Sequence, residues 1–419
     1  MTRLGAERTW LLYQGAVSFS MALGWTLAPV FFVRELHMSP LALVLTGTAL
    51  EIGYFVFEVP TGIVADSYSR RLSVIIGVSV MGAGFVVTGL APGVAVVIAA
   101  AGLMGFGWTF KSGAEDAWLA DEVGLENIGR SYQRGAQVAR LAALGGIGFA
   151  VALALVGARL PIVASGLVLM ALGVALAFLM PETGFEPARR GELGALRSLA
   201  ATGVDGVRLI RATPVLVLIV GITFFQGASS EGLDRLWEAH FLTNVGVPSL
   251  LGLDVVVWFG VIAAASLLLA YLVARPLVSR LERLDRGGSA RVLLALDAAL
   301  IAAMLGFALA GWFAVALAAY LATRLVRSLG GPVQAAWVNA SVENSRIRAT
   351  VISLTNMGDS LGEWSGGPGL GVIGNVFGIR AALSAGAVAL VPSIALFSRA
   401  VQRHGSEPAL ERPVPAPTV

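Results

Sequence analysis

The chain contains no cysteine, only three histidines and a single lysine, and charged residues make up just 13% of its 419 positions. Without cysteine there are no disulfides, no thiolate metal sites and no cysteine nucleophile. The histidines, His37, His240 and His404, fall at no metal-ligating spacing. H-E-x-x-H, G-x-S-x-G and a phosphate loop ending in Lys-Ser/Thr are all missing, so the chain carries no enzymatic signature and implies no cofactor or metal. No stretch between apolar runs is long enough for a nucleotide-binding domain, which excludes a self-contained ATP-driven pump. The net charge of +3 is too small for a nucleic-acid partner.

What remains is apolar: 57% of residues are hydrophobic and the mean hydropathy is +0.81. A soluble protein carries about 25% charged residues. The composition therefore predicts an all-α membrane protein, because a helix satisfies its own backbone hydrogen bonds in lipid. A spanning helix needs about 20 mostly apolar residues. Twelve such segments are predicted, at 10–33, 41–65, 72–91, 94–117, 136–158, 161–180, 215–242, 252–274, 290–310, 312–336, 349–373 and 381–398. The first is long enough to be a span rather than a cleavable signal.

Basic residues set the orientation. With a cytoplasmic N-terminus, twenty-two arginines fall in inside segments and three (Arg34, Arg159 and Arg380) in outside loops. The positive-inside rule then predicts N-in and C-in. Lys111, Arg235, Arg324 and Arg327 are left within or at the ends of spans. The longest connection, 181–213, divides the chain into an N-terminal six-helix half (1–180) and a C-terminal one (214–399). Within it, 192–211 alternates apolar and charged residues and is predicted to lie along the membrane as an amphipathic helix. The tail, 400–419, is rich in proline and charge and is predicted to be disordered. A weak echo joins the halves: Ala117-Trp118 precedes Arg130, and Ala336-Trp337 precedes Arg348. Internal repeats around a central loop are typical of secondary transporters with midplane sites.

Ionisable groups inside spans are expensive and therefore candidates for function. Glu51 and Glu58 lie two turns apart on one face of the second span. A carboxylate near the midplane can take up and release protons, so these two are the candidate proton carriers. Lys111 has Glu115 four residues on and Asp116 beside it, an i,i+4 pair that suits either a substrate cavity or a neutralised strut. Asp359 and Glu363 form a second i,i+4 pair, in a glycine-rich eleventh span with Pro368. Asp297 is expected to pair with Arg324 and Arg327, although Arg324 is also a cavity candidate. Glu231, Asp234, Arg235 and Glu238 end the seventh span, where an outer gate and a helix emerging into water look alike.

The segment Gly62-Ile-Val-Ala-Asp66-Ser-Tyr-Ser-Arg70-Arg71 resembles motif A of the major facilitator superfamily, G-x-x-x-D-R-x-G-R-R/K. Gly62, Asp66, Arg70 and Arg71 match; Ser67 and Ser69 depart from it. The resemblance extends over twelve spans and the central loop. It implies a major facilitator fold and a cytoplasmic latch, in which Asp66 holds the start of the eleventh span and Arg70 reaches Asp121. Glu58-Val-Pro60, followed by Asp66 and Arg70-Arg71, is similar to the variant motif of class P tetracycline efflux proteins, in which two glutamates seven apart matter. Glu51 and Glu58 occupy those places. The antiporter motif is incomplete: Gly145, Gly146 and Gly148 lack a following Gly-Pro, whereas Gly366-Gly367-Pro368 occurs in the eleventh span.

The expectation is a proton-coupled exporter of amphipathic, tetracycline-like small molecules, working as a monomer in the cytoplasmic (inner) membrane. Its partners are the substrate, protons and the lipid bilayer. Alternatives are an uptake symporter for a sugar, organic acid or other metabolite, with Lys111 or Arg324 facing the cavity, and a non-transporting membrane sensor.

Overall fold

The computed structural model describes residues 4–187, 214–248, 254–281, 284–341 and 345–405. The described residues are helical, with no strand among them. Eleven helices are long and apolar enough to cross a membrane: α1 (Ala6–Arg34), α2 (Pro40–Ser67), α3 (Arg70–Gly89), α4 (Val94–Val123), α5 (Leu125–Ala154), α6 (Leu160–Leu179), α7 (Leu216–Val245), α8 (Val255–Leu281), α9 (Arg286–Leu309), α10 (Phe313–Ser341) and α12 (Ile379–Gln402). The remaining one, α11 (Ser345–Phe377), has 33 residues, roughly 50 Å of helix and ample for a bilayer. It is less apolar because it carries Asp359 and Glu363. The protein is thus a multi-pass membrane protein of two six-helix halves.

Helix ends follow local chemistry. Ser39, Ser69, Asp254 and Asp285 each accept a backbone N–H from the first turn of the helix they precede, the usual N-cap exchange. Gly113 adopts φ +70° and breaks α4 after Lys111. Pro60 lies inside α2 without ending it.

Three sequence expectations are corrected. The stretch 118–135 is not a loop: α4 runs on to Val123, and after Gly124 alone α5 begins at Leu125. Polar helical turns outside the hydrocarbon carry no apolar signal, so hydropathy misses them. Second, residues 400–405, expected in the tail, continue the last helix to Gly405. Third, Lys111 and Glu115 do not share a continuous helix face, because Ser112 and Gly113 interrupt it. The predicted surface helix at 192–211 and the tail beyond 405 lie outside the described residues.

Two apolar cores reveal how the halves meet. The larger runs through the N-terminal half and crosses into the C-terminal half at the outer side, joining Leu27, Phe31, Leu43 and Val44 to Leu233, Leu236, Phe241 and Phe259. The smaller holds only C-terminal residues at the cytoplasmic side, among them Leu216, Val333, Trp337 and Phe397. Among the described residues the halves therefore share a buried core at their outer ends and none at their inner ends, an inward-open arrangement.

Candidate functional site

The site is the seam between α2 and the α7–α11 pair. Helices α7 and α11 are pressed together because glycines recur every fourth residue. A Cβ at Gly366 would lie 2.7 Å from the Ala228 Cα, and one at Gly358 would lie 2.6 Å from the Thr223 hydroxyl. Small residues allow such backbone approach. It places Asp359 and Glu363, one turn apart, along a C-terminal cavity of about 440 Å³ shared with Gln226, Ser230, Asp297 and Arg327. Across the seam, Glu51 projects from α2. It lies close enough to Glu231, Arg235 and Asp359 for their charges to act on it, and Glu363 likewise feels Glu51, Asp359 and Glu231. Four carboxylates from three helices thus converge near the middle of the membrane.

Above them the seam is sealed. The Leu41 N–H donates to the Asn375 side-chain oxygen at 2.9 Å. Gly367, Gly371 and Gly374 of α11 receive Val44, Leu41 and Pro40 of α2. Glu231 and Arg235 form an i,i+4 pair at 3.3 Å and lie against Gly47, where any Cβ would collide with both. With glycine at position 47 the ion pair lies directly against the α2 backbone, and a larger residue would push it aside. Below the acids, Phe55 approaches Trp364 with ring centroids 5.9 Å apart.

Glu51 also borders a second cavity, of about 310 Å³, inside the N-terminal half. Trp25, Tyr54, Phe85, Trp108 and three methionines line it. Lys111 is 4% exposed. Its ammonium meets Glu115 at 3.1 Å and lies 4.2 Å from the centroid of the Trp108 ring. The Tyr13 hydroxyl donates to the same carboxylate. Lys111 is thereby neutralised within its own half. Asp116 accepts from the Tyr132 hydroxyl at 2.9 Å, at the cytoplasmic end of α4. Glu58 meets the Ser112 hydroxyl at 3.4 Å, with its other oxygen buried and unpartnered.

At the cytoplasmic end, Arg70 pairs with Asp121 and donates to the Ala117 carbonyl at 3.1 Å. Arg71 donates to the Ala177 carbonyl. Asp66 lies 3.6 Å from Arg70, with a side chain 61% exposed. Side chains at the start of α11 are outside the description, and Asp66 has no other ion pair among the described residues. Gly62 has open space around it.

A sequence model of the Major Facilitator Superfamily matches residues 11–283, more than half of the chain. The chain belongs to the major facilitator superfamily. Its fold is similar to that of a bacterial homologue of the human lysosomal transporter Spinster, solved inward-facing and unoccupied (TM-score 0.71, 16% identity, 95% of this chain and 96% of that one covered). It is also similar to the nucleoside transporter NupG (TM-score 0.76, 14% identity, 95% and 99% covered). A third likeness is to a peptide transporter, POT, in complex with sulfate (TM-score 0.69, 14% identity, 95% and 94% covered). At these identities the likeness concerns the fold. Among curated proteins, none matches the sequence significantly.

In this facilitator the C-terminal charges pair differently from the sequence expectation. Asp297 does not meet Arg324 or Arg327. It accepts from Gln226 at 3.2 Å and from the Ser393 hydroxyl at 2.5 Å. Arg327 instead grips Asp234 with two hydrogen bonds, at 2.5 and 2.8 Å, and Arg324 lies 4.0 Å from the same carboxylate. Helix packing puts Gln226 of α7 and Ser393 of α12 within bonding distance of Asp297, while Arg327, on the same cavity, is held by Asp234. Glu231 and Glu238 are buried and Asp234 and Arg235 half-buried, so this end of the span does not simply emerge into water. The sequence signal was available, since a 30-residue α7 is longer than a bilayer needs, but nothing in the spacing said which end was surplus. Glu182, unmarked by any motif, accepts from Ser69 at 2.7 Å and from the Arg71 backbone N–H at 2.9 Å, and so caps α3. Among the described residues, no three His, Asp or Glu side chains are grouped as a metal site.

Proposed function

We propose that this facilitator is a proton-coupled exporter of amphipathic cations or zwitterions, tetracycline-like molecules among them, acting as a monomer in the cytoplasmic membrane by alternating access. One observation carries the reading. All four basic side chains that the sequence leaves within spans have a carboxylate within 4.0 Å: Lys111 has Glu115, Arg235 has Glu231, and Arg324 and Arg327 share Asp234. Glu51, Glu58, Asp359 and Glu363 have no basic group that close among the described residues. The cleft thus holds carboxylates that no basic group among the described residues pairs with, and its N-terminal wall is aromatic and methionine-rich. Such a surface favours an amphipathic cation over an anion.

The same arrangement supplies the coupling. Carboxylates gathered in a low-dielectric cleft repel one another when charged, and either a proton or a cation relieves that repulsion. Proton and substrate then compete for one set of acids. In the inward-open form, cytoplasmic substrate meets the deprotonated acids; once the outer end opens, protons displace it. Glu51 and Glu58 are the proposed proton carriers. Gly62, Asp66, Arg70, Arg71 and Asp121 form the proposed cytoplasmic gate, and Asp359 and Glu363 line the substrate cavity. Lys111 and Glu115 act as a neutral strut with Asp116 beside them, and Arg324 stands by Asp234 in the other half. Inverted vesicles energised with a pH gradient test this. Wild type should accumulate tetracycline or a cationic dye, and Glu51→Gln and Glu363→Gln should each lower gradient-driven uptake by at least about tenfold, the scale of losing one essential proton-transfer group. Full gradient-driven transport in Glu51→Gln would overturn the assignment.

A further inference from the structure

A second seam joins the halves on the far side of the molecule, where α5 runs against α8. Toward the outer face the contact is apolar and close, with Val151 and Ile147 packed over Gly260. Toward the cytoplasm the helices part around a cavity of about 270 Å³, lined by Arg140 from α5, by Tyr271 and Arg275 from α8, and by Ser328 and Pro332 from α10. The Arg140 guanidinium lies 5.2 Å from the centroid of the Tyr271 ring and that of Arg275 lies 5.5 Å from it. Arg275 also donates to the Tyr271 hydroxyl at 3.4 Å. Two cations therefore flank one aromatic ring at the mouth of a cavity, and neither has a carboxylate partner among the described residues. That is unlike the basic groups of the central cleft, all of which are neutralised.

Depth and surroundings say what would neutralise these two. Arg140 stands where the uncharged stretch of α5 begins, and Arg275 where that of α8 ends. Both belong to the cytoplasmic boundary of the hydrocarbon. Leu141, Leu268, Leu272 and Leu277 around them are exposed. A soluble anion gains nothing from those leucines, whereas acyl chains do. Tyr271 is carried on Ala270–Ala274, a turn widened to i→i+5 bonding, a distortion often found at functional sites. Guanidinium groups bind phosphate oxygens in forked geometry, and basic pockets between spans on the cytoplasmic side suit anionic headgroups.

We propose that this cavity binds the phosphate of an anionic phospholipid of the inner leaflet, held between Arg140 and Arg275. One headgroup then links the N-terminal half to the C-terminal half. It stabilises the spacing of α5 and α8 found in the inward-open form.

Native mass spectrometry of the full chain tests the site, with phosphatidylglycerol or cardiolipin titrated against phosphatidylcholine. Wild type should retain one anionic lipid in preference to phosphatidylcholine. Arg140→Gln and Arg275→Gln should each weaken that retention by about fivefold, the contribution of one surface arginine. Unchanged retention in the double variant would overturn the proposal. Inorganic phosphate added alone separates the two sources of phosphate: failure to displace the lipid supports the lipid site, and full displacement at millimolar concentration overturns it. Should the double variant fail to fold, wild type at rising salt gives the answer. Retention that falls with ionic strength supports the arginine site, and salt-independent retention rejects it.

Discussion

The outer and inner ends of this bundle use the same helices but join them in different ways. At the outer end the bonds cross the seam: Leu41 to Asn375, the α11 glycines to Pro40, Leu41 and Val44, and the Glu231–Arg235 pair to Gly47. At the inner end, among the described residues, the strong polar bonds stay within one half. Arg70 holds Asp121, Arg71 holds the Ala177 carbonyl, and Glu182 caps α3. Midway, Lys111 with Glu115 and Arg327 with Asp234 are likewise internal to their halves. Among the described residues, polar bonding is thus concentrated within the halves, and the seam is held mainly by packing at its outer end. Rigid-body rocking of repeats around a midplane site asks for this division, because a seam rich in strong bonds would resist reopening.

The largest effect should come from fixing the outer seam. The natural chain has no cysteine, so Leu41→Cys with Asn375→Cys can be oxidised without competing thiols. Cross-linking should abolish transport almost completely and reduction should restore it; transport that survives the cross-link would show that the outer end need not open. Next in size is a bond inside one half. Arg327→Ala leaves Asp234 with only the distant Arg324. Losing one partner of a buried pair costs about 3–5 kcal/mol; with the side chains about a third exposed, roughly 2 kcal/mol is expected, read as a lower unfolding temperature in detergent. Smallest is Asp66→Asn. Its carboxylate is largely exposed and 3.6 Å from Arg70, so stability should change by less than about 0.5 kcal/mol. Transport should nevertheless slow, because the proposed latch closes only when the cytoplasmic end does. A large loss of stability there would mean that the inner end is already held across the seam.

Much of the architecture is legible in one dimension. Spans, loops and orientation follow from a single large cost, that of placing charge or bare backbone in hydrocarbon, and every residue reports on it. Errors appear where that cost falls silent. The cytoplasmic extensions of α4, α5 and α12 are helical but polar, so hydropathy ends them too soon. The candidate site is only partly legible. The same cost picks out Glu51, Glu58, Asp359 and Glu363 as anomalies, and the four acids about the seam include three of them. It does not mark Glu231, which reads equally well as a helix end, and it pairs Asp297 with the wrong partners. Arg140 and Arg275 look like ordinary positive-inside residues until α5 and α8 are placed side by side.

The sequence by itself therefore determined how many times the chain crosses, which side each loop faces, and which charges are too costly to be idle. Only the tertiary structure decided which charges pair with one another and which do not. The reason is geometric. Insertion into lipid depends on each segment's own composition, whereas pairing depends on the rotation and lateral packing of helices far apart in the chain. Gly47 shows the difference: in sequence it is one small residue in a span, and in the folded protein it is the place where an ion pair from the other half lies against α2.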